Sequence, residues 1–265
     1  MASRSGIRNY RFSFNFYITP AVQWLIIANA AVFILEILLK VFSGVGAYNR
    51  FILLFGLVPS AAIHGLRIWQ PFTYLFLHDA DNLFHILSNM FFLWMFGREL
   101  EIVWGRNRFL RYYFLTGVGA GLINLIVKVI PTLWGRPLSD LDAPTIGASG
   151  AIFGVLLACA VLFPDRQVMF MFAIKMSMRT LMIVLIALEF LGTFGVGGDN
   201  ISHFCHFGGM LVGYVYLRRG SFLYGVRNTL SDWQYRRNRK RFEVYINKHK
   251  GEPPEPPSRP DRWVN

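Results

Sequence analysis

The amino-acid sequence predicts an all-α protein, a polytopic membrane bundle of six transmembrane helices. Three observations carry that expectation. Apolar residues make up 54% of the chain and charged residues only 16%, whereas a soluble domain carries about a quarter charged residues. The apolar residues gather into six runs, near 21–39, 83–96, 109–130, 149–163, 181–196 and 203–217. With six crossings, 22 of the 27 lysines and arginines fall on one side. A soluble bundle with buried core helices is the alternative, and the links between the runs are too poor in charge for it.

The elements follow in order. Residues 1–20 form a short polar segment with Arg4, Arg8 and Arg11. The run behind it is too long for the core of a cleavable signal, so it reads as an anchor. Only the first and third runs reach the roughly 20 residues of a straight span. The other four are accommodated by a thinned bilayer, or by helix ends that stop inside the membrane. The link 42–76 is long and aromatic, with Phe51-Ile52-Leu53-Leu54-Phe55 and Ile68-Trp69. It reads as short helices lying partly in the outer leaflet. The fifth run holds one acid, Glu189, expected to pack against the bundle or to snorkel.

The basic bias puts both termini in the cytoplasm. The bacterial plasma membrane is the expected location, since the N-terminus shows no organelle-targeting extension. Residues 21–217 are then one membrane domain, and 218–265 a basic, proline-rich cytoplasmic tail. The cluster Arg236-Arg237-Asn238-Arg239-Lys240-Arg241 suits anionic lipid headgroups or topology setting better than nucleic acid. Cys159 and Cys205 both lie in apolar runs and make no disulfide framework.

This topology places four polar residues in the outer half of the membrane. Ser149 opens the fourth run, where Gly147 and Gly150 allow close approach. His206 lies one turn into the sixth run, and His85 and Asn89 share a helix face near the start of the second. Polar groups at such depth are costly and mark function. A serine hydroxyl needs a base to become a nucleophile, and His206 can be that base. His85, Asn89 and the backbone N–H of Ser149 can donate to an oxyanion. No carboxylate is evident beside His206, since Asp199 lies seven residues upstream in the loop. A Ser–His dyad is therefore expected. Gly150-x-x-x-Gly154 and Gly209-x-x-x-Gly213 predict tight packing of the fourth and sixth helices.

These residues resemble the rhomboid intramembrane serine proteases. Gly147-Ala148-Ser149-Gly150 is similar to their nucleophile motif, His206-Phe207-Gly208-Gly209-x-x-x-Gly213 to their base motif, and His85-x-x-x-Asn89 to their oxyanion pair. Glu99-Leu100-Glu101 with Trp104-Gly105 resembles the stretch after their second span. The resemblance implies Ser149 as nucleophile, His206 as base, and His85, Asn89 and Ser149 as oxyanion donors. It implies hydrolysis of a peptide bond in or near the span of a single-pass membrane protein, a lateral gate at the fifth run, and no metal or other cofactor. A rhomboid-like chaperone or binder without catalysis is the alternative; such relatives lack the nucleophile or base, and both are present here. A six-span transporter is a third reading, and it lacks repeated halves.

Two departures stand out. Phe153 occupies the place of a tyrosine that stacks on the histidine in some members, and Trp69-Gln70 replaces a Trp-Arg pair. Four further side chains could carry chemistry: His203, Cys205, His78 and His64. His203 shares nearly the same helix face as His206 and is expected to cap the sixth helix, the alternative being to orient the base or line the water path, and Cys205 points about 100° away from its neighbour His206. His78 and His64 lie in the first outer link; a zinc site from His78, His85, His203 and His206 is conceivable, but the sequence has no His-Glu-x-x-His and no acid near these histidines suited to activate a water.

Overall fold

All six apolar runs form helices in the computed structural model, which describes residues 17–63, 65–135, 137, 143–170, 174–194 and 203–219. The described residues up to Leu217 belong to one compact unit, 1–217. His64, Asp199, Arg4, Arg8, Arg11, the basic cluster 236–241 and the proline-rich end lie outside the described residues. The helices are α1 (Pro20–Phe42), α2 (Gly44–Phe55), α3 (Pro59–Ile63), α4 (Gln70–Thr73), α5 (Leu83–Phe92), α6 (Arg98–Trp104), α7 (Arg106–Val129), α8 (Ser149–Leu162), α9 (Met178–Gly192) and α10 (203–219). Among the described residues, two helical stretches are long and apolar enough to cross a membrane, Pro20–Phe42 and Arg106–Trp134. α5 does not stop at Phe96 as expected. It continues through a π-helical turn, Leu93–Gly97, into α6.

One local departure from an all-α fold appears. The link after α8 pairs as an antiparallel hairpin, β1 (Gln167–Phe170) with β2 (Ile174–Ser177). Val168, Phe170, Ile174 and Met176 suit extended pairing, a signal hidden by the basic residues around them.

α1 begins with Pro20 in its first turn, where a missing N–H costs nothing. The next two N–H groups, of Ala21 and Val22, donate to the two carboxylate oxygens of Glu101 at 2.9 and 3.0 Å. A charge-assisted bond to each orphan donor, aligned with the helix dipole, anchors α1 on α6. Glu99 pairs with Arg166 at 2.8 Å. Two carboxylates of the Glu99-Leu100-Glu101 stretch thus tie three separate parts of the chain together.

α7 and α8 form the centre. Phe109, Tyr112 and Tyr113 of α7 are fully buried, and the Tyr112 hydroxyl donates to the Gly154 carbonyl at 2.7 Å. α8 is apolar around its whole circumference, the pattern of a helix enclosed by others. α10 crosses it at the predicted glycines. A Cβ on Gly209 would stand 1.9 Å from the Gly150 carbonyl oxygen, so the two backbones touch. The outward faces stay apolar: Trp24, Ile34 and Val41 on α1, Leu122 and Ile126 on α7, and Ile183, Leu188 and Phe190 on α9 are exposed. Such extensive apolar surface needs a lipid or protein partner.

The link between α1 and α5 is clamped rather than loose. The end of α2 leaves carbonyls without helical partners. Gln70 Nε2 donates to the Leu53 carbonyl at 2.9 Å, the Trp69 indole to that of Leu54 at 2.9 Å, and the Thr73 hydroxyl to that of Phe55 at 2.6 Å. Gln70 Oε1 accepts from the Val58 N–H at 3.1 Å. An amide supplies both a donor and an acceptor here, so the clamp forms without an arginine at this position.

Candidate active site

The loop before α8 is fixed first. Leu57 and Thr145 exchange both backbone hydrogen bonds, at 3.0 and 2.9 Å, and the Gly147 N–H donates to the Tyr74 carbonyl at 2.9 Å. From α7, Asn124 Nδ2 donates to the Thr145 hydroxyl and Lys128 Nζ to the Ala143 carbonyl, each at 2.9 Å. Gly147 sits at φ +119°, a conformation that side chains rarely allow. A Cβ there would also lie 2.7 Å from His85 Nε2. The loop therefore delivers Ser149 as the first residue of α8 with no freedom in its approach.

His206 meets it. His206 Nε2 lies 2.7 Å from Ser149 Oγ, and the imidazole stacks on Phe153 with centroids 4.3 Å apart and planes 17° apart. Phe153 follows Ser149 by one turn, so one helix face carries both the hydroxyl and the platform for its partner. The phenylalanine keeps the expected stack.

His85 and Asn89 converge on the same place from α5. Asn82 caps that helix, accepting the His85 N–H at 3.3 Å. His85 lies against Gly147, and the Asn89 amide is beside the same residue. Asn89 Nδ2 also meets His78 Nε2 at 3.0 Å. His78 is fully buried, and burial, followed by the nearby charge of His85, lowers its pKa to about 3. A neutral His78 has a lone pair on Nε2, which accepts from the amide and orients it. The His78 backbone N–H in turn donates to the Glu36 carboxylate of α1 at 3.2 Å. Sequence reasoning missed this support for Asn89, because nothing in the seven-residue spacing from His78 to His85 announces it.

A carboxylate stands where none was expected. Glu189 of α9 places Oε2 2.8 Å from His206 Nδ1 and 2.7 Å from His203 Nδ1. The His203 contact has hydrogen-bond geometry, whereas the His206 contact is close but not aligned, leaving Nδ1 without a true acceptor. His203 rests against α9, where a Cβ on Gly192 would fall 2.3 Å from its ring. One expectation is thereby corrected: a carboxylate does stand beside His206, because Glu189 takes the bundle-packed of its two expected placements and meets both imidazoles there. The available signal was a single acid in an apolar run. Its partner lay in another helix, beyond the reach of spacing arguments.

Glu189, His203 and His206 are also the donors a metal could use, with ligand atoms within 4.8 Å of one another. Tetrahedral zinc with bonds of about 2.0–2.1 Å holds its ligands about 3.3 Å apart. The contacts of 2.7 and 2.8 Å are those of ion pairs and hydrogen bonds. Cys205 points elsewhere, buried against Gly150 with Sγ 3.5 Å from the Tyr74 hydroxyl.

The nucleophile-type loop, the imidazole and the α5 pair occur together within a stretch that a family model describes as the rhomboid domain, matched over residues 65–220. The chain belongs to the rhomboid family. Among rhomboid relatives, the mitochondrial presenilin-associated rhomboid-like protein of Rattus norvegicus is 28% identical over 141 residues, 52% of this chain and 35% of the relative. The chloroplastic Rhomboid-like protein 11 of Arabidopsis thaliana is 30% identical over 192 residues, 65% of this chain and 60% of the relative. The mitochondrial RHOMBOID-like protein 12 of the same plant is 29% identical over 210 residues, 76% of this chain and 59% of the relative. The chain thus spans about a third of the length of the first animal relatives it matches.

These relatives overturn the expected location. They are mitochondrial or chloroplastic, which points to an organelle membrane rather than the plasma membrane. The basic bias orders the two sides of a membrane and carries no information on which membrane it is. The cytoplasmic assignment of the termini depended on the plasma-membrane reading and goes with it.

Proposed function

We propose that this rhomboid-family chain is a serine endopeptidase that cleaves single-pass membrane proteins in or near their spans, within an organelle membrane. The observation that carries this reading is the 2.7 Å contact of His206 Nε2 with Ser149 Oγ, opposite the His85–Asn89 pair. In the proposed reaction Ser149 Oγ attacks the scissile carbonyl carbon and passes its proton to His206 Nε2. The carbonyl π pair moves to oxygen, where the Ser149 N–H, His85 and one N–H of Asn89 receive the charge. The imidazolium then protonates the leaving amine, the C–N bond breaks, and an acyl-enzyme remains. Water, giving its proton to His206, attacks that ester; the bond between the carbonyl carbon and Ser149 Oγ breaks, His206 returns the proton to Oγ, and the new carboxyl end is released.

We take the six apolar helical runs, two of them long and four short, as six spans. α8 has 14 residues and is about 21 Å long, shorter than the ~30 Å apolar core of a bilayer. That length supports a serine below the membrane surface, at the depth of a substrate helix. No cofactor is needed for such hydrolysis.

The test is proteolysis in liposomes with a single-pass substrate carrying epitopes at both ends. Wild type yields two fragments, and Ser149→Ala yields none while remaining folded. Equal cleavage by the Ser149→Ala protein would sink the reading and leave the non-catalytic chaperone.

A further inference from the structure

Rhomboid chemistry as derived above needs only Ser149 and His206, yet a third ionisable side chain touches the base. We propose that Glu189 is a positioning residue for His206, making a Ser149–His206–Glu189 relay in which His203 holds the carboxylate from its other side. The inference rests on the protease reading and adds to it.

The geometry argues for this role in four steps. First, an imidazole that accepts the Ser149 proton on Nε2 must carry its resting proton on Nδ1. Glu189 Oε2, 2.8 Å from Nδ1, favours that tautomer, because a carboxylate has no proton to share with a bare nitrogen. Second, proton transfer leaves a positive imidazolium, and an adjacent carboxylate stabilises it. Third, His203 Nδ1 bonds the same oxygen at 2.7 Å, and the Gly192 backbone backs its ring, so the carboxylate cannot swing away. Fourth, the cluster is enclosed: the side chains of Glu189, His203 and His206 are exposed by only 14%, 15% and 8%. Charges there are screened less than on an open surface.

The His206 N–H is close to the oxygen but not aligned on it. Catalytic hydrogen bonds are often loose without substrate and tighten in the complex. A small rotation of the imidazole about its stack on Phe153 brings Nδ1–H onto Oε2 while Nε2 stays near Ser149. No redox or group-transfer step is added: Glu189 keeps its charge throughout, and protons pass only among Ser149, His206, the leaving group and the attacking water.

The experiment compares full-length wild type, Glu189→Gln, Glu189→Asp and His203→Gln in liposomes, reading kcat, KM and the pH profile of kcat/KM. Glu189 faces His203 and His206, and across the site His206 also feels His85. Glu189→Gln is expected to lower kcat on the order of 10- to 100-fold with KM little changed, a fraction of what a general base supplies. Its acid limb moves to lower pH, since removing a negative charge disfavours the protonated imidazole. Glu189→Asp restores part of the rate and returns the limb toward wild type. His203→Gln gives a smaller loss in the same direction, and it reads the link even if Glu189→Gln fails to fold.

Folded Glu189→Gln with wild-type kcat and an unmoved limb overturns the proposal. A rate loss equal at every pH, shared by the aspartate variant, also overturns it, because that marks a packing role. Inactivity of wild type itself would instead overturn the protease reading.

Discussion

Glu101 is buried and Glu189 largely enclosed among apolar helices, and the two acids face different partners. Glu101 spends both oxygens on backbone N–H groups of α1, at 2.9 and 3.0 Å. Backbone donors never titrate, so that carboxylate is fixed and can only hold the fold. Glu189 spends one oxygen on two imidazoles. Imidazoles gain and lose protons near neutral pH, so that carboxylate can follow a reaction. What an acid touches separates architecture from chemistry, and its burial does not.

That contrast can be broken from several sides. The largest effect is expected at the seam carrying the proposed site. Gly209→Ala would put a Cβ 1.9 Å from the Gly150 carbonyl, against backbone that cannot rotate aside. α10 must back off, at a cost of about 1–3 kcal/mol, and the Ser149–His206 contact opens. Cleavage should fall at least 100-fold in protein that still purifies folded. Unchanged cleavage would mean that the seam does not set the distance.

Glu101→Gln is next. It is expected to lose about 1–3 kcal/mol of stability, the scale of hydrogen bonds to a charged acceptor, with kcat unaltered. Thermal unfolding in detergent alongside a cleavage assay checks both halves. A fall in kcat at constant stability would erase the distinction from Glu189.

A smaller effect concerns pH. His78 is held neutral in the fold, with its pKa lowered to about 3 by burial and then by His85. The unfolded chain takes up that proton below about pH 6.5, so stability from this site is complete above 6.5 and declines as pH falls toward 3. His78→Gln should flatten the acid side of the stability curve. The Asn89 amide would also lose some orientation, lowering kcat a few-fold. A curve of unchanged slope would show that His78 takes no part.

Phe153→Tyr should do least. The ring keeps its 4.3 Å stack on His206, and kcat should change less than about 3-fold. A larger change would mean that a hydroxyl at this position reaches the base.

Much of this was legible in the sequence. The six helices and the glycine seam follow from runs, periodicity and small-residue faces, which are local or near-local signals, the Ser149–His206 pairing from their shared depth, and the Phe153 stack from the resemblance to the rhomboid family. The hairpin 167–177 was not read, because basic residues masked a short extended pattern. The extension of α5 into α6 was missed since a π-helical turn has no compositional mark. The contacts of Glu189 with His203 and His206, and of His78 with Asn89, were not legible for one reason: each is defined by a partner on another element. Spacing within a helix says which residues share its face, not which side chain of a neighbouring helix they meet. The membrane was misassigned because sidedness and address are different properties.

The central claim is that Ser149 is made nucleophilic by His206, and covalent labelling tests it most directly. A fluorophosphonate probe applied to the protein in lipid should label wild type and fail on both Ser149→Ala and His206→Ala. Labelling that persists in the folded His206→Ala protein at the wild-type rate would contradict the account, because the serine would then need no base.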